Sequence, residues 1–193
     1  MTRGALVFAA AFACSAAAGW VVFPDRMYRS AAQPVQFSHA VHTGPKNGLT
    51  CDTCHAFRGN GSFGGVPRLD TCAGCHAEAV GTTLAEREFV EKYVKTGREP
   101  EWLVYARQPD NAWFPHSTHV KTAKLDCERC HPGHGKSESL RPLELNRISG
   151  YTRDVMGRPG KAVFQRTGGM RMDDCVACHR RHGLEHSCLD CHK

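Results

Sequence analysis

The sequence predicts a protein that is mostly coil with short α-helices, little β-structure and one N-terminal transmembrane helix. Three observations predict this fold. The motif Cys-x-x-Cys-His occurs five times within 193 residues, which leaves only short segments between the copies. The chain also contains 19 glycines and 10 prolines, which favour turns over long regular elements. Finally, residues 4–23 form an uncharged, largely apolar run directly after Arg3.

The N-terminal apolar run is long enough to cross a membrane. As a helix, its twenty residues would span about 30 Å, the thickness of the hydrocarbon core. A cleavable signal sequence is the alternative, because Ala16, Ala17 and Ala18 offer small residues to a peptidase. The apolar run continues to Phe23, beyond such a cut, and therefore favours a retained anchor.

The charges around the anchor set its predicted orientation. With Arg3 on the cytoplasmic side, the remainder of the chain lies outside the cytoplasm. We therefore predict a single-pass anchor in the inner (cytoplasmic) membrane with its juxtamembrane linker (residues 1–30). Residues 31–193 are predicted to form a periplasmic domain.

The repeated motif is the attachment signature of c-type haem. Its two thiols bond to the vinyl groups of one porphyrin, and the histidine that follows binds the iron from the proximal side. The predicted attachment sites are Cys51, Cys54, Cys72, Cys75, Cys127, Cys130, Cys175, Cys178, Cys188 and Cys191. The predicted proximal ligands are His55, His76, His131, His179 and His192.

Two other interpretations of the cysteines are zinc binding and disulfide formation. The seventeen residues between the first two pairs also fit a four-thiolate zinc site, and isolated pairs can form disulfides. Neither explains why a histidine follows every pair, and five pairs cannot be divided into complete four-cysteine sites. We therefore predict a multihaem cytochrome c with about thirty residues per haem, in which the porphyrins supply much of the buried apolar surface.

Histidines outside the motifs are candidate distal ligands. The pattern Phe-x-His-x-x-His precedes both the first and the third motif, and its first histidine lies eleven or twelve residues before a haem cysteine. The second histidine lies about one helical turn further on and can serve a neighbouring haem. The candidates are His39, His42, His116, His119, His134, His182 and His186.

The ligand count leaves further possibilities open. Seven candidates exceed the five distal ligands that five haems need, so a sixth haem without a standard motif is possible. Met170 and Met172 are alternative axial ligands, and a methionine ligand would raise that haem's potential. Cys14, the eleventh cysteine, is open to three interpretations: an inert small residue, a lipidation site, or a single thioether to an extra haem.

Residues 135–171 form a basic segment without cysteine or histidine. It contains eight Lys or Arg against three acidic residues, a net +5 of the chain's +6. We interpret it as a haem-free docking arm for a partner subunit or for haem propionates, with a solvated loop as the alternative. Five haems bring about ten propionate charges, so the basic composition does not indicate a nucleic-acid partner.

One helix can be predicted from its capping pattern. Thr83 and Glu86 fit a capping box that opens a helix with Phe89, Val90, Tyr93 and Val94 on one face. Gly97 and Pro100 are expected to end it.

Several segments resemble a known family of respiratory subunits. They are Gln33-Pro-Val-Gln-Phe-Ser-His39-x-x-His42, Glu101-Trp102-Leu-Val-Tyr-Ala-Arg-Gln-Pro-Asp110, Phe114-x-His116-x-x-His119 and His179-Arg-Arg-His182-Gly through Cys191-His-Lys193. Together they resemble the pentahaem subunit of alternative complex III and, more closely, the multihaem cytochrome subunit of the Qrc-type menaquinone reductase of sulfate-reducing bacteria. Relatives of alternative complex III typically have a histidine at the position of Ala106.

The resemblance implies both partners and a role. It implies an integral membrane quinone-binding subunit, an iron–sulfur subunit and a molybdopterin-enzyme-like subunit, with electrons arriving from a soluble periplasmic multihaem cytochrome c. We therefore expect a non-catalytic electron-transfer subunit that relays electrons toward menaquinone reduction, as in sulfate respiration. The alternatives are a relay that oxidises quinol, a free soluble carrier, and a multihaem nitrite or hydroxylamine reductase with an open haem site.

Overall fold

The structure, a computed structural model, describes residues 2–153, 170–185 and 187–192. It begins with a continuous helix made of α1 (Arg3–Ala17), a π-helical turn (Ala18–Val22) and α2 (Phe23–Arg26). This helix has 24 residues, and an 18-residue window within it has a mean hydropathy of 2.1, so it is long and apolar enough to cross a membrane. An N-terminal signal sequence would satisfy the same criterion.

A two-stranded sheet joins the linker to the basic segment. Strand β1 (Tyr28–Ala31) pairs antiparallel with β2 (Leu143–Asn146), and Tyr28 lies opposite Asn146. The predicted boundary at residue 30 therefore falls within a strand. Strand β2 shows that the first part of the predicted docking arm pairs with the chain's own linker. Residues 154–169 of the arm lie outside the described residues.

Arg153 connects this sheet to the end of the N-terminal helix. Its side chain is only 7% exposed, and its guanidinium lies 2.9 Å from Asp25 and 3.0 Å from Glu144. The same group lies 4.0 Å from the centre of the Tyr28 ring. A buried arginine requires such partners, because an uncompensated charge out of water is strongly destabilising.

The remaining elements are short, as predicted. The first half of the domain contains α3 (His39–Thr43), α4 (Cys51–Cys54), α5 (Leu69–Ala73) and α6 (Leu84–Phe89), which continues as a π-helical turn (Val90–Val94). The second half contains a π-helix (Ser117–Thr122), two 3-10 turns (Cys127–Arg129 and His134–Lys136), α7 (Met172–Arg181) and α8 (Cys188–Cys191). The sequence prediction of short helices with little sheet is therefore confirmed for the described residues.

The apolar core of the described residues is small. Phe89, Val90 and Tyr93 pack with Leu69 from α5, and Val90 and Tyr93 are only 1% and 2% exposed. The predicted apolar face of this helix is thus correct, and Gly97 adopts a φ of +67° just after it. This cluster anchors the second haem motif, because Cys72 packs against it.

Only one of the two hydrogen bonds of the predicted capping box forms. The Thr83 hydroxyl accepts a hydrogen bond from the Glu86 amide, as expected. The Glu86 carboxylate, however, does not return to the Thr83 amide; it accepts hydrogen bonds from the Val80 and Gly81 amides instead. This departure places the carboxylate beside a predicted haem ligand, as described below.

Candidate haem-binding sites

The haem motifs fold as single helical turns. In four of them, the carbonyl of the first cysteine accepts a hydrogen bond from the motif histidine's amide, over 2.8–2.9 Å. The fourth motif, Cys175 to His179, lies within α7. Because one turn brings residues three and four apart to the same side, both thiols and the imidazole of a motif can reach one porphyrin.

The cysteines are available for this chemistry. None of the eleven cysteines, all of which lie in the described part of the chain, forms a disulfide. Within the described ranges, no three or more His, Cys, Asp or Glu side chains come together as a metal-binding group. An open cleft of about 530 Å³ lies beside Cys51, lined also by Thr43, Leu49 and Glu128.

Two pairs of histidine rings lie at a separation that fits two axial ligands of one iron atom. The ring centres of His42 and His76 lie 6.0 Å apart, and those of His119 and His179 lie 6.2 Å apart. Two imidazoles bound to opposite sides of one metal through bonds of about 2.0–2.1 Å place their centres roughly 6 Å apart. Each pair joins the second histidine of a Phe-x-His-x-x-His repeat to a proximal ligand.

Hydrogen bonds at Nδ1 orient these rings. The Nδ1–H groups of His42 and His119 donate to the Ser38 and Pro115 carbonyls over 2.8 Å and 3.0 Å. Among the proximal ligands, His55 donates to the Gly65 carbonyl over 2.7 Å. An occupied Nδ1 fixes the tautomer and directs Nε2 toward a metal.

Two further ligands use side-chain acceptors. The His76 Nδ1–H donates to the Glu86 carboxylate over 2.9 Å, and His39 Nδ1 hydrogen-bonds the Ser137 hydroxyl over 3.0 Å. Neither Glu86 nor Ser137 was predicted for these roles. No local signal identifies them, because both contacts depend on how separate segments fold together.

The phenylalanines of the two repeats position both histidines in the same way. Phe37 stacks on His42 at 4.3 Å and meets His39 edge-on at 4.9 Å. Phe114 does the same with His119 at 4.3 Å and His116 at 4.8 Å. The internal sequence repeat therefore folds with the same ring contacts in both copies. Its phenylalanine is the sequence feature that marks the residue positioning the two histidines. Phe63, which stacks on His116 at 4.2 Å, had no such signal.

Burial keeps several candidate ligands neutral. Burial, and then the neighbouring His55, His134 and His42, lower the pKa of His39 to about 4. Burial, and then His134, His116 and His55, lower the pKa of His131 to about 4. The pKa of His116 is lowered by burial and by His119. Neutral imidazole is the form that binds a metal.

The electrostatic neighbours of the thiols show which motifs lie next to each other. Partial burial raises the pKa of Cys54, Cys127, Cys130 and Cys175, and neighbouring thiols raise each further. The neighbours join the second motif to the first (Cys75 to Cys54) and the first to the third (Cys51 to Cys127). They also join the third to the fourth (Cys178 to Cys130) and the fourth to the fifth (Cys191 to Cys175). Each of these pairs of motifs therefore lies side by side in the structure.

The remaining candidates do not form a facing pair in the described residues. The His134 ring lies 5.3 Å from that of His131 at 81°, and 6.0 Å from that of Tyr105. His182 is exposed at the end of α7, and His186 lies outside the described residues. The described ring pairs do not include His192. Cys14 and Met172 are both exposed.

Repeated haem motifs, facing imidazole pairs and short helices together define a multihaem cytochrome c. No protein-family model matches the chain. The chain is 34% identical over 190 residues to "Menaquinone reductase, multiheme cytochrome c subunit" from Nitratidesulfovibrio vulgaris (strain Hildenborough). The match covers 91% of this chain and 83% of the relative. The chain therefore belongs to the family of multihaem cytochrome c subunits of menaquinone reductase, which confirms the resemblance seen in the sequence.

Proposed function

We propose that this chain carries five c-type haems and relays electrons from a soluble periplasmic multihaem cytochrome c toward menaquinone. The family supplies the link to menaquinone reductase. The two histidine pairs at 6.0 Å and 6.2 Å are the structural observation that carries the proposal. Such pairs fit irons whose axial positions are both occupied, as electron transfer without bond-making requires.

The residues present fit haem as a resident cofactor. His42 and His76 would hold the haem of the second motif, and His119 and His179 that of the fourth. His55 is among the neighbours of His39, and His116, after His134, is among those of His131, so we propose these as the pairs for the first and third motifs. When bound, haem c supplies reversible one-electron transfer. The chain's own residues orient the imidazoles, keep them neutral and hold the motifs in contact.

The same arrangement accounts for the small core. The buried apolar cluster of the described residues centres on Leu69, Phe89, Val90 and Tyr93. A domain of this length normally buries more apolar surface than that. Porphyrins seated between the motifs would supply the missing surface. This supports a fold in which short helices wrap haems.

The N-terminal helix would hold this relay at the membrane. The Arg153 contacts to Asp25 and Tyr28 connect the helix end to the sheet, so the haem domain would keep a defined position above the membrane surface. We infer that the domain faces the periplasm. The proposed partners are an integral membrane quinone-binding subunit, an iron–sulfur subunit and a molybdopterin-enzyme-like subunit, with quinone chemistry taking place outside this chain.

Purification of the native complex from membranes tests this function. We expect detergent, and not salt alone, to release the chain together with the proposed subunits, with a mass that exceeds the polypeptide by five haems. A reduced soluble multihaem cytochrome should then reduce a menaquinone analogue through the complex. Faster electron flow from menaquinol to cytochrome would contradict the proposed direction. A high-spin haem that binds nitrite would instead support a reductase.

A further inference from the structure

One proximal ligand has an anionic hydrogen-bond partner. The Nδ1–H of His76 donates to Glu86 Oε1 over 2.9 Å, and the Glu86 side chain is only 12% exposed. Because this contact is largely out of water, solvent screens it much less than an ion pair on the surface.

The chain holds this carboxylate in place from several directions. Oε1 also accepts from the Val80 amide over 2.9 Å, and Oε2 accepts from the Gly81 amide over 2.8 Å. A Cβ on Gly81 would lie 2.6 Å from Oε2, so glycine is what allows the carboxylate to approach the backbone this closely. Three donors therefore fix the carboxylate against the imidazole.

The other oriented histidines have neutral partners. Of the five Nδ1 contacts described above, those of His42, His55 and His119 end on backbone carbonyls, and that of His39 ends on a hydroxyl. Only the His76 contact in this set ends on a carboxylate. Among these five histidines, the proximal ligand of the second motif is therefore the one with a charged partner.

A carboxylate at Nδ1 raises the basicity of a metal-bound imidazole. A more basic ligand, with a negative charge nearby, stabilises ferric iron over ferrous iron, and hydrogen bonding to the axial ligand is one of the means by which proteins adjust haem potentials. We propose that Glu86 is a positioning residue that acts through His76 to lower the reduction potential of the haem at the second motif. This inference rests on the proposed function, because it requires a haem at that motif.

The location of this haem gives the adjustment a consequence. The second motif lies next to the first. A lower potential at the second haem makes its reduced state less stable than that of its neighbour. An electron that reaches the second haem would therefore pass on to the first.

Glu86→Gln, made in the full chain with all five haem motifs intact, is the direct test. Gln keeps the shape of the side chain but removes its charge. We expect the midpoint potential of one haem to rise in spectroscopic redox titration, and one low-spin ferric EPR signal to shift, while the others stay in place. Gly81→Ala, which displaces the carboxylate without removing it, should produce a smaller shift in the same direction.

Glu91→Gln is the matched control on the same helix. Glu91 is 67% exposed and pairs with Lys95 over 2.7 Å, so this change removes the same charge without touching a ligand. It should leave all potentials and EPR signals unchanged.

Mass spectrometry distinguishes a failure of the proposed function from a failure of the proposed role of Glu86. A parent chain without haem would refute the proposed function. A Glu86→Gln variant with five haems and unchanged potentials, or with the same shift as Glu91→Gln, would overturn the role of Glu86 alone. Loss of one haem from Glu86→Gln would also overturn it, since Glu86 would then serve haem attachment.

Discussion

Removal of the His42 imidazole tests the ligand pairing most directly. In the structure, the His42 and His76 ring centres lie 6.0 Å apart, whereas His42 precedes the first haem motif in the sequence. If His42 binds the iron of the second motif, His42→Ala opens one axial position on that haem alone. With five motifs, about one fifth of the ferric haem should then become high-spin.

Two measurements check this fraction. EPR spin quantitation should show one high-spin haem per chain, and carbon monoxide should bind one equivalent beyond the unmodified protein. Val41→Ala is the matched control, because Val41 lies on the same helix as His42 and is 59% exposed. It should leave the spin state unchanged.

The identity of the opened haem can then be established by removing one attachment site at a time. When Cys72→Ala and Cys75→Ala remove the second haem, adding His42→Ala should produce no further high-spin signal. When Cys51→Ala and Cys54→Ala remove the first haem instead, the signal should persist. The reverse pattern would refute the pairing and would assign His42 to the motif that follows it in the sequence.

Three other variants test the anchor contact, the core and the last motif. Tyr93→Ala should lower the free energy of unfolding by about 3–5 kcal/mol in denaturant titration, because it leaves a cavity in the buried cluster. Leu84→Ala, at a 71% exposed position, should change this free energy by about 0.5 kcal/mol or less. Arg153→Met should speed amide hydrogen exchange in Tyr28–Ala31 and Leu143–Asn146, because the contacts of Arg153 with Asp25 and Glu144 are lost. Arg107→Met removes an exposed pair with Asp110 and should not change this exchange. Cys188→Ala with Cys191→Ala should lower the mass by one haem and preserve the low-spin signals of the second and fourth motifs; loss of those signals would show that the fifth haem supports the others.

Much of the site could be predicted from local patterns. Attachment of haem depends on residues within one helical turn, so Cys51, Cys54 and His55 identify their role by spacing alone. The Phe-x-His-x-x-His repeat is equally local, and its two copies fold with matching ring contacts at Phe37 and Phe114. The apolar face of the helix with Phe89, Val90 and Tyr93 was visible for the same reason, since helical periodicity places these residues together.

The sequence by itself thus determined the cofactor class, the ligand candidates and the predominance of short helices, because each follows from residues only a few positions apart. Only the tertiary structure decided which histidine rings lie close together, which motifs are neighbours and that His76 donates a hydrogen bond to Glu86. The structure also turned the first part of the expected docking arm into a strand paired with the linker. These features join residues that are distant in the chain, and the distance between them depends on how the whole polypeptide packs.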